Sequence, residues 1–487
     1  MPPRHVVLVF IDGLRPDVLA EAVRAGEVPH LQGLLGAGES HGWLTSVLAP
    51  APSITFASQA SLVTGAHPNR HDVPGNQFFD RFGMHHGGKA RHYAFDVGDT
   101  LEIDDAVEVF TRGLASRCLG ARTLYERAGS RGQRSVVVGH MYANGADRWL
   151  PPKVDMLARL TKAPGPLRIT PAAFDHHVLD LALEDLRAHG LPDILSVYFM
   201  GLDAYSHAHG PEGQRAYLRE TLDPLVGELR AAVDALAPRG HPPFWVLAAD
   251  HGQRAVPDDE AHAISLRSVE PLFAAEGRDL LDYPGEGRHS DAVMAFNGSM
   301  AFVYVRPKGE AWSQPPDFQN EVLPLARRFW EAHRRGAETP ALEGAVAAVL
   351  VRDVAHAGWR SGYVALTPDG TLETLEAWFR RLPAHDHVEA LPRLAGMASP
   401  LSGDIVVLLS PGSGRYFGHP VKGLHGGLSP DVSEAALMLA WPGVTPAAWQ
   451  HARRQFEHAV RVRCETEGGR RPQTTDVLVG LEAVMLG

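Results

Sequence analysis

The sequence predicts a three-layer α/β/α protein, with a mainly parallel central sheet and an inserted α+β cap. Short apolar, largely β-branched runs recur along the chain, which is typical of strands buried on both faces. Helical patterns lie between several of them, as at residues 123–128 and 179–188. This alternation predicts a parallel sheet covered by helices. The predicted strands are residues 6–11, 135–138, 194–200, 244–249, 405–409 and 436–441, and residues 475–486 form a predicted last helix.

Two stretches interrupt the alternation and are predicted to be insertions. Residues 78–120 are rich in Gly, His and Asp. Residues 254–400 combine strand-like runs at 301–305, 345–354 and 362–366 with a helical run at 324–335. We therefore expect a catalytic core made of residues 1–253 and 401–487. The α+β cap of residues 254–400 should lie over the active site.

Composition excludes several classes of protein. The 487 residues carry 46 basic and 57 acidic side chains, and the net charge of −11 argues against a basic surface for nucleic acid. Two distant cysteines exclude a disulfide scaffold. No apolar run is long enough for a signal peptide or a membrane span, so a cytoplasmic location is expected, with a secreted protein trimmed of its signal as the alternative. The 26 histidines make metal chemistry worth testing, while the oligomeric state is left open.

Aspartates follow three of the predicted core strands. Asp12 and Asp250 come directly after their strands, and Asp203 lies three residues beyond its strand. Functional groups in open α/β sheets gather beyond the carboxyl ends of the strands, so these carboxylates should converge. A single aspartate in such a place is more often a helix cap, but three together favour a functional site.

Histidines lie at informative distances from these aspartates. Asp203 and His207 are four residues apart, which puts them on one face of a helix. His251 directly follows Asp250 in the sequence ADHG, and His425 lies in GLHGG, where glycines let the backbone come close to a ligand. Mixed Asp/His sets are typical of zinc and similar divalent ions in catalytic sites.

A further segment, residues 49–76, places a hydroxyl group at the start of a helix. Ser53 or Thr55 can cap a helix that runs to about Thr64 and ends at Gly65. The positive end of a helix also suits an anion, so a Thr55 hydroxyl there can serve chemistry. Read alone, the segment favours a simple helix cap at Thr55.

These motifs, taken in their order along the chain, resemble those of the alkaline phosphatase superfamily. The chain carries Asp12, then Thr55 in TFxxxxSLVTGxxPxxH, then DxxxH, DHG and GxHG. Residues 64–76 (TGAHPNRHDVPGN) and 202–211 (LDAYSHAHGP) are most similar to the type I phosphodiesterase/nucleotide pyrophosphatase branch. The resemblance implies a nucleophile at Thr55 and two metal sites. Their ligands would be Asp12, Thr55, Asp250 and His251 in one site, and Asp203, His207 and His425 in the other.

The resemblance implies hydrolysis of small phosphate esters through a covalent phospho-threonine, with two divalent ions, zinc first and manganese or iron as alternatives. A dianionic monoester generally needs a cationic partner, and the first Lys or Arg after Thr55 is Arg70, fifteen residues on. Phosphodiesters and nucleotide pyrophosphate-type substrates are therefore favoured. A phosphomonoesterase, a phosphonate hydrolase and a non-catalytic metal-binding protein are the alternatives. Ser58 stands where the family usually has Asn, and Ser58, Gln59 and Asn76 are the expected substrate contacts.

Overall fold

The computed structural model describes residues 2–95, 104–161, 168–282, 286–287, 289–336 and 338–486. The strands are β1 (Val6–Ile11), β2 (Gly42–Leu48), β3 (Gln77–Asp80), β4 (Arg91–Ala94), β5 (Ser135–Val138), β6 (Arg148–Leu150), β7 (Ile194–Phe199), β8 (Phe244–Ala248), β9 (Arg254–Ala255), β10 (Ala263–Ile264), β11 (Ala292–Asn297), β12 (Met300–Val305), β13 (Val346–Val351), β14 (Val364–Leu366), β15 (Leu372–Glu373), β16 (Ile405–Leu409), β17 (Tyr416–Phe417), β18 (Gly423–Leu424) and β19 (Glu434–Ala440).

The α-helices alternate with the strands through most of the chain. They are α1 (Pro16–Arg24), α2 (Pro29–Leu35), α3 (Thr55–Thr64), α4 (Pro68–His71), α5 (Asp104–Thr111), α6 (Leu114–Cys118), α7 (Leu124–Gly129), α8 (Val154–Thr161), α9 (Pro171–His189), α10 (Gly201–His209), α11 (Gln214–Tyr217), α12 (Asp223–Leu236), α13 (Leu266–Ala275), α14 (Leu323–Arg335), α15 (Val354–Ala357), α16 (Leu375–Phe379), α17 (Ala390–Met397), α18 (Pro430–Ser433), α19 (Pro446–Thr466) and α20 (Thr474–Leu486). Among the described residues, no helix combines the length and the apolar character that crossing a membrane requires.

The first sheet has seven strands in the order β2-β19-β8-β1-β7-β5-β6. Strands β8, β1, β7, β5 and β6 run parallel, whereas β19 is antiparallel to both of its neighbours. Every residue of β1 and β7 is buried, so both faces of the sheet are covered, as their continuous apolar sequences predict. The predicted fold class, a mainly parallel sheet between helices, is confirmed.

A second, antiparallel sheet of six strands has the order β11-β12-β16-β13-β14-β15 and a hydrophobic core of its own. Strand β16 pairs with β12 and β13, so the assignment of residues 405–409 to the central sheet is wrong. An apolar run shows that a strand is buried, but it does not show which sheet the strand joins. The division into a core and a cap at residues 254 and 400 stays a prediction.

The predicted insertion of residues 78–120 begins within an antiparallel hairpin, β3–β4, which is followed by the helices α5 and α6. Residues 96–103 of this insertion lie outside the described part of the chain. Arg81, at the end of the hairpin's first strand, donates to both carboxylate oxygens of Asp404 at 3.0 Å. This buried ion pair ties the hairpin to the second sheet.

Candidate metal and catalytic site

Three carboxylates meet beyond the carboxyl ends of three neighbouring strands of the first sheet. Asp12 follows β1, Asp250 lies two residues after β8, and Asp203 is the third residue of α10, which begins just after β7. Because β1 lies between β7 and β8, the aspartates that follow these three strands lie next to one another. Ligand atoms of Asp12, Asp203 and His251 all lie within 4.8 Å of one another. The convergence expected from the sequence is therefore present.

Three histidines around these carboxylates are held in the same way. In each, Nδ1 donates to a backbone carbonyl: His207 to Gly423 at 2.7 Å, His251 to Gly252 at 3.0 Å and His425 to Ser53 at 3.2 Å. This bond fixes the ring and leaves Nε2 directed at the carboxylates. Histidines that bind metals are oriented by such a partner on the second ring nitrogen.

The ligand groups predicted from the resemblance are brought together in space. His251 Nε2 lies 3.3 Å from Asp12 Oδ1, 3.5 Å from Asp250 Oδ2 and 3.1 Å from Thr55 Oγ1. In the other group, His207 Nε2 lies 3.1 Å from Asp203 Oδ2 and 3.2 Å from His425 Nε2. Asp203 also faces Asp12 and His251, so it lies between the two groups.

Burial and mutual repulsion shift the acidity of this cluster. Burial raises the pKa of Asp12 and Asp250 well above the ordinary value, and the charges of Asp203 on Asp12 and of Asp12 on Asp250 raise it further. Burial also acts on Asp203, but the adjacent His207 outweighs it and lowers the pKa of that carboxyl. Burial would lower the pKa of His207, yet Asp203 raises it to about 9. The opposite shifts of Asp203 and His207 follow from their mutual attraction, since each favours the charged form of the other.

Two buried oxygens in the cluster identify the kind of ligand that it suits. Asp12 Oδ1 and Asp250 Oδ2 have no hydrogen-bond partner in the described part of the chain. A buried carboxylate oxygen without a partner is costly, and a cation removes that cost. Together with three Nε2 atoms, these oxygens form the mixed N/O donor set that suits zinc and similar divalent ions.

Thr55 is the first residue of α3, and its hydroxyl group faces the cluster. Ile54 holds the position before the helix in extended conformation, and no side chain caps the helix there. Thr55 Oγ1 instead pairs with His251 Nε2 at 3.1 Å. The reading of Thr55 or Ser53 as a helix cap is therefore wrong. The predicted end of the helix at Gly65 is present, in left-handed conformation.

The three expected substrate contacts differ in their surroundings. Asn76 Oδ1 accepts from the Phe56 N–H at 2.9 Å, which holds the amide beside the first turn of α3. Ser58 Oγ is buried and has no partner among the described residues. Gln59 Oε1 accepts from His140 Nε2 at 2.9 Å, whereas Gln59 Nε2 is buried and has no partner among the described residues.

His425 depends on the glycine that follows it. Gly426 has a φ of +98°, and a Cβ there would overlap the carbonyl oxygen of Asn297, the last residue of β11 before the turn to β12. From the sequence, these glycines are predicted to let the backbone come close to a ligand. The structure shows that Gly426 admits the backbone of a neighbouring turn.

Two site residues were missed by the sequence analysis. The Tyr198 hydroxyl donates to Asp12 Oδ2, and Gln253 Nε2 donates to Asp203 Oδ1. Tyr198 belongs to none of the motifs. It lies within an apolar strand, where a tyrosine is expected to be a core residue. Gln253 lies two residues after His251, so its closeness to the DHG motif was the available signal.

Comparison with known proteins places these motifs in a family. The family model for type I phosphodiesterase / nucleotide pyrophosphatase matches residues 6–413. The chain belongs to this family. The superfamily identified from the motifs is thereby confirmed, and the protein is a hydrolase that acts on phosphoric esters.

Solved structures show the same fold. Murine ectonucleotide pyrophosphatase/phosphodiesterase 5 matches with a TM-score of 0.54 and 13% identity, over 96% of each chain. Its inactive threonine-to-alanine variant has been solved in complex with AMP. Phosphonoacetate hydrolase from Sinorhizobium meliloti 1021 matches with a TM-score of 0.53 and 16% identity, over 99% of this chain and 95% of that one.

A sequence relative, the alkaline phosphatase PhoD of Zymomonas mobilis, is similar over a short region. It is 36% identical over 109 residues, which is 21% of this chain. The match spans 18% of the length of that relative.

Proposed function

We propose that the protein is a two-metal phosphohydrolase that cleaves phosphodiesters and nucleotide pyrophosphate-type substrates through a phospho-threonine at Thr55. The observation that carries the proposal is the position of Thr55 Oγ1, 3.1 Å from His251 Nε2 at the N-terminus of α3. A hydroxyl group there lies beside carboxylates and imidazoles that suit divalent cations. It also lies at the helix end that favours an anion.

Two ligand groups would hold the ions, which we propose to be zinc, with manganese or iron as alternatives. Asp12, Asp250, His251 and Thr55 would hold one, and Asp203, His207 and His425 the other. Bound divalent ions would favour the alkoxide of the nucleophile and offset charge on the attacking and leaving oxygens. The orphaned oxygens of Asp12 and Asp250 support this assignment.

The chain's own residues account for the remaining steps. Thr55 Oγ1 releases its proton to solvent and bonds to phosphorus, while the bond from phosphorus to the leaving oxygen breaks, and the leaving oxygen keeps the electron pair and takes up a proton from solvent. The Asn76 carbonyl oxygen is engaged by the Phe56 N–H, which leaves the Asn76 NH₂ group as the donor to a phosphoryl oxygen. Water then attacks phosphorus, the bond to Thr55 breaks, and the hydroxyl group regains a proton.

The choice between phosphate monoesters and diesters rests on the charge of the substrate and on the cations near Thr55. Dianionic monoesters generally require a cationic partner, and none follows Thr55 before Arg70. The distance in sequence from Thr55 to the first Lys or Arg favours diesters, and AMP bound to the murine relative agrees with a nucleotide substrate. Phosphonate hydrolysis is a second candidate, since phosphonoacetate hydrolase matches almost the whole chain. A non-catalytic role is disfavoured because the seven proposed ligand and nucleophile residues are all present and grouped.

The proposal is tested with variants of Thr55. T55A should still bind metal and fold but lose several orders of magnitude in kcat, because only the ions and substrate positioning remain. T55S keeps the oxygen and should retain a measurable fraction of kcat. T64A is a matched control: Thr64 is buried in the same helix and donates to the Ala60 carbonyl, without contact to the cluster. It should leave kcat unchanged.

The assay compares bis(p-nitrophenyl) phosphate, p-nitrophenyl phosphate and phosphonoacetate, with metal content measured on the same samples. We expect two divalent ions per chain, loss of activity with a chelator, and the highest kcat/KM on the diester. A T55A protein that is folded, binds metal and turns over at the wild-type rate would remove the covalent mechanism. A higher rate on phosphonoacetate would make the second candidate the better one.

A further inference from the structure

Arg393, in helix α17, is fully buried and bonds only to uncharged acceptors within the described residues. Helix α17 packs through Leu394 and Met397 into the core of the second sheet. Burial lowers the pKa of Arg393 to about 9. A buried guanidinium without a carboxylate is expensive, so its contacts should serve a purpose.

The guanidinium joins two segments of the site that are far apart in sequence. On the side of Thr55, Nε donates to the Ala49 carbonyl at 2.8 Å, and Nη2 donates to the Pro50 carbonyl at 3.2 Å and to Ser53 Oγ at 2.7 Å. On the side of His425, Nη1 donates to the Leu428 carbonyl at 3.3 Å. A further Nη1 bond reaches the Val388 carbonyl at 2.9 Å, beside α17 itself.

Ser53 extends this connection to a proposed metal ligand. Its hydroxyl group donates to the Gly427 carbonyl at 2.9 Å, and its own carbonyl accepts from His425 Nδ1 at 3.2 Å. The bond to Nδ1 sets the ring orientation and therefore the direction of His425 Nε2. Ser53 also lies two residues before Thr55, so the same segment carries the proposed nucleophile.

We infer that Arg393 is a positioning residue that clamps residues 49–53 against residues 425–428 and thereby aligns His425 Nε2 and Thr55 Oγ1. The inference rests on the proposed function for its effect on metal binding. Only a planar guanidinium presents donors in the directions of all these acceptors, because a lysine ammonium is a single point charge.

The test compares R393M and R393K with a matched control, R352M. Arg352 is equally buried and donates to the carbonyls of Trp359, Ser399 and Ser402, none of which belongs to the site. Both methionine variants should lose stability, so stability alone does not identify a positioning role. The discriminating readouts are amide hydrogen exchange in the metal-free protein and cobalt(II) binding followed by absorption.

In R393M we expect faster exchange in peptides that cover residues 49–58 and 423–430, and 10- to 100-fold weaker binding of at least one cobalt ion, the usual effect of losing a ligand's supporting bonds. R393K should fall between R393M and the wild type. R352M should leave exchange in those peptides and cobalt affinity at wild-type values. In the folded R393M protein, kcat should fall more than KM changes.

If R393M does not fold, S53A removes the bonds that the Ser53 hydroxyl makes to Arg393 and Gly427, and it should weaken cobalt binding in the same direction. Wild-type cobalt affinity and exchange in a folded R393M, or in both R393K and S53A, would overturn the role of Arg393 while leaving the proposed function intact. A wild-type protein that binds no divalent ion would overturn the proposed function itself, and the exchange data would still show whether Arg393 clamps the two segments.

Discussion

Replacing Tyr198 with Phe removes one hydrogen bond to the proposed metal ligand Asp12 and nothing else. Tyr198 lies in β7, is buried, and donates its hydroxyl group to Asp12 Oδ2. Burial raises the pKa of Asp12 well above its usual range, because the charged carboxylate is unfavourable in this buried position. A bound cation would favour the carboxylate form of Asp12. The Tyr198 hydroxyl group would then donate to a charged acceptor, and that hydrogen bond would be stronger.

The size of the effect follows from that change in charge. A hydrogen bond to a charged group contributes about 1.5–3 kcal/mol, against about 0.5–1.5 kcal/mol for a neutral one. The difference between the two, about 1–1.5 kcal/mol, is lost from metal binding, so we expect Y198F to weaken metal binding by about 5- to 12-fold, since about 1.4 kcal/mol corresponds to a factor of ten. The free energy of unfolding of the metal-free protein should fall by only about 1 kcal/mol.

Tyr125 provides the control for this measurement. It is also buried, and its hydroxyl group donates to Ser196 Oγ at 2.9 Å, on the same strand β7 but away from the ligands. Y125F should lose similar stability and keep wild-type metal affinity. The assay is titration of metal-free protein with cobalt(II) or zinc, with urea unfolding of the same samples. Equal metal affinities in Y198F and Y125F would refute the reasoning.

Two further predictions concern His425 and Asp175. H425A should fold but lose one of two bound ions and most of its turnover, and a folded H425A with wild-type metal content and rate would remove this residue from the site. Burial raises the pKa of Asp175 from 3.8 to about 7, so the folded protein holds this proton more tightly than the unfolded chain does. The free energy of unfolding should therefore fall as the pH rises from about 4 to about 7, and D175N should make that slope shallower in urea titrations at several pH values.

The sequence predicts the site best where local pattern and topology agree. Asp12 and Asp250 follow apolar strands, and because those strands are parallel neighbours, the convergence of the carboxylates could be inferred from pattern alone. Asp203 and His207 needed only helical periodicity. His425 had no such support, because its place depends on contacts between distant segments, and only the resemblance to a family identified it.

Residues that act through other residues left no signal in the sequence. Tyr198 and Asp12 are 186 positions apart, and Arg393 and Ser53 are 340 apart. A buried tyrosine in a strand and an arginine in a short helix have ordinary structural roles in most proteins, and only tertiary contacts distinguish these two. The error on strand β16 has the same origin, since apolar character predicts burial but not the partner strand.

The second sheet contributes to the site more directly than a lid that only covers it. Asn297, at the end of β11, accepts the Asn76 N–H at 2.8 Å, and Asn76 in turn accepts the N–H of Phe56, next to Thr55. Arg393 donates to Ser53, in the segment that precedes Thr55. Because both connections consist of buried hydrogen bonds, a change in the core of the second sheet should act on the position of Thr55 as well as on substrate access. The second sheet and helix α17 therefore hold the segments that carry Thr55 and His425 through hydrogen bonds, and we expect a protein without the second sheet to keep the three aspartates but to lose these supports.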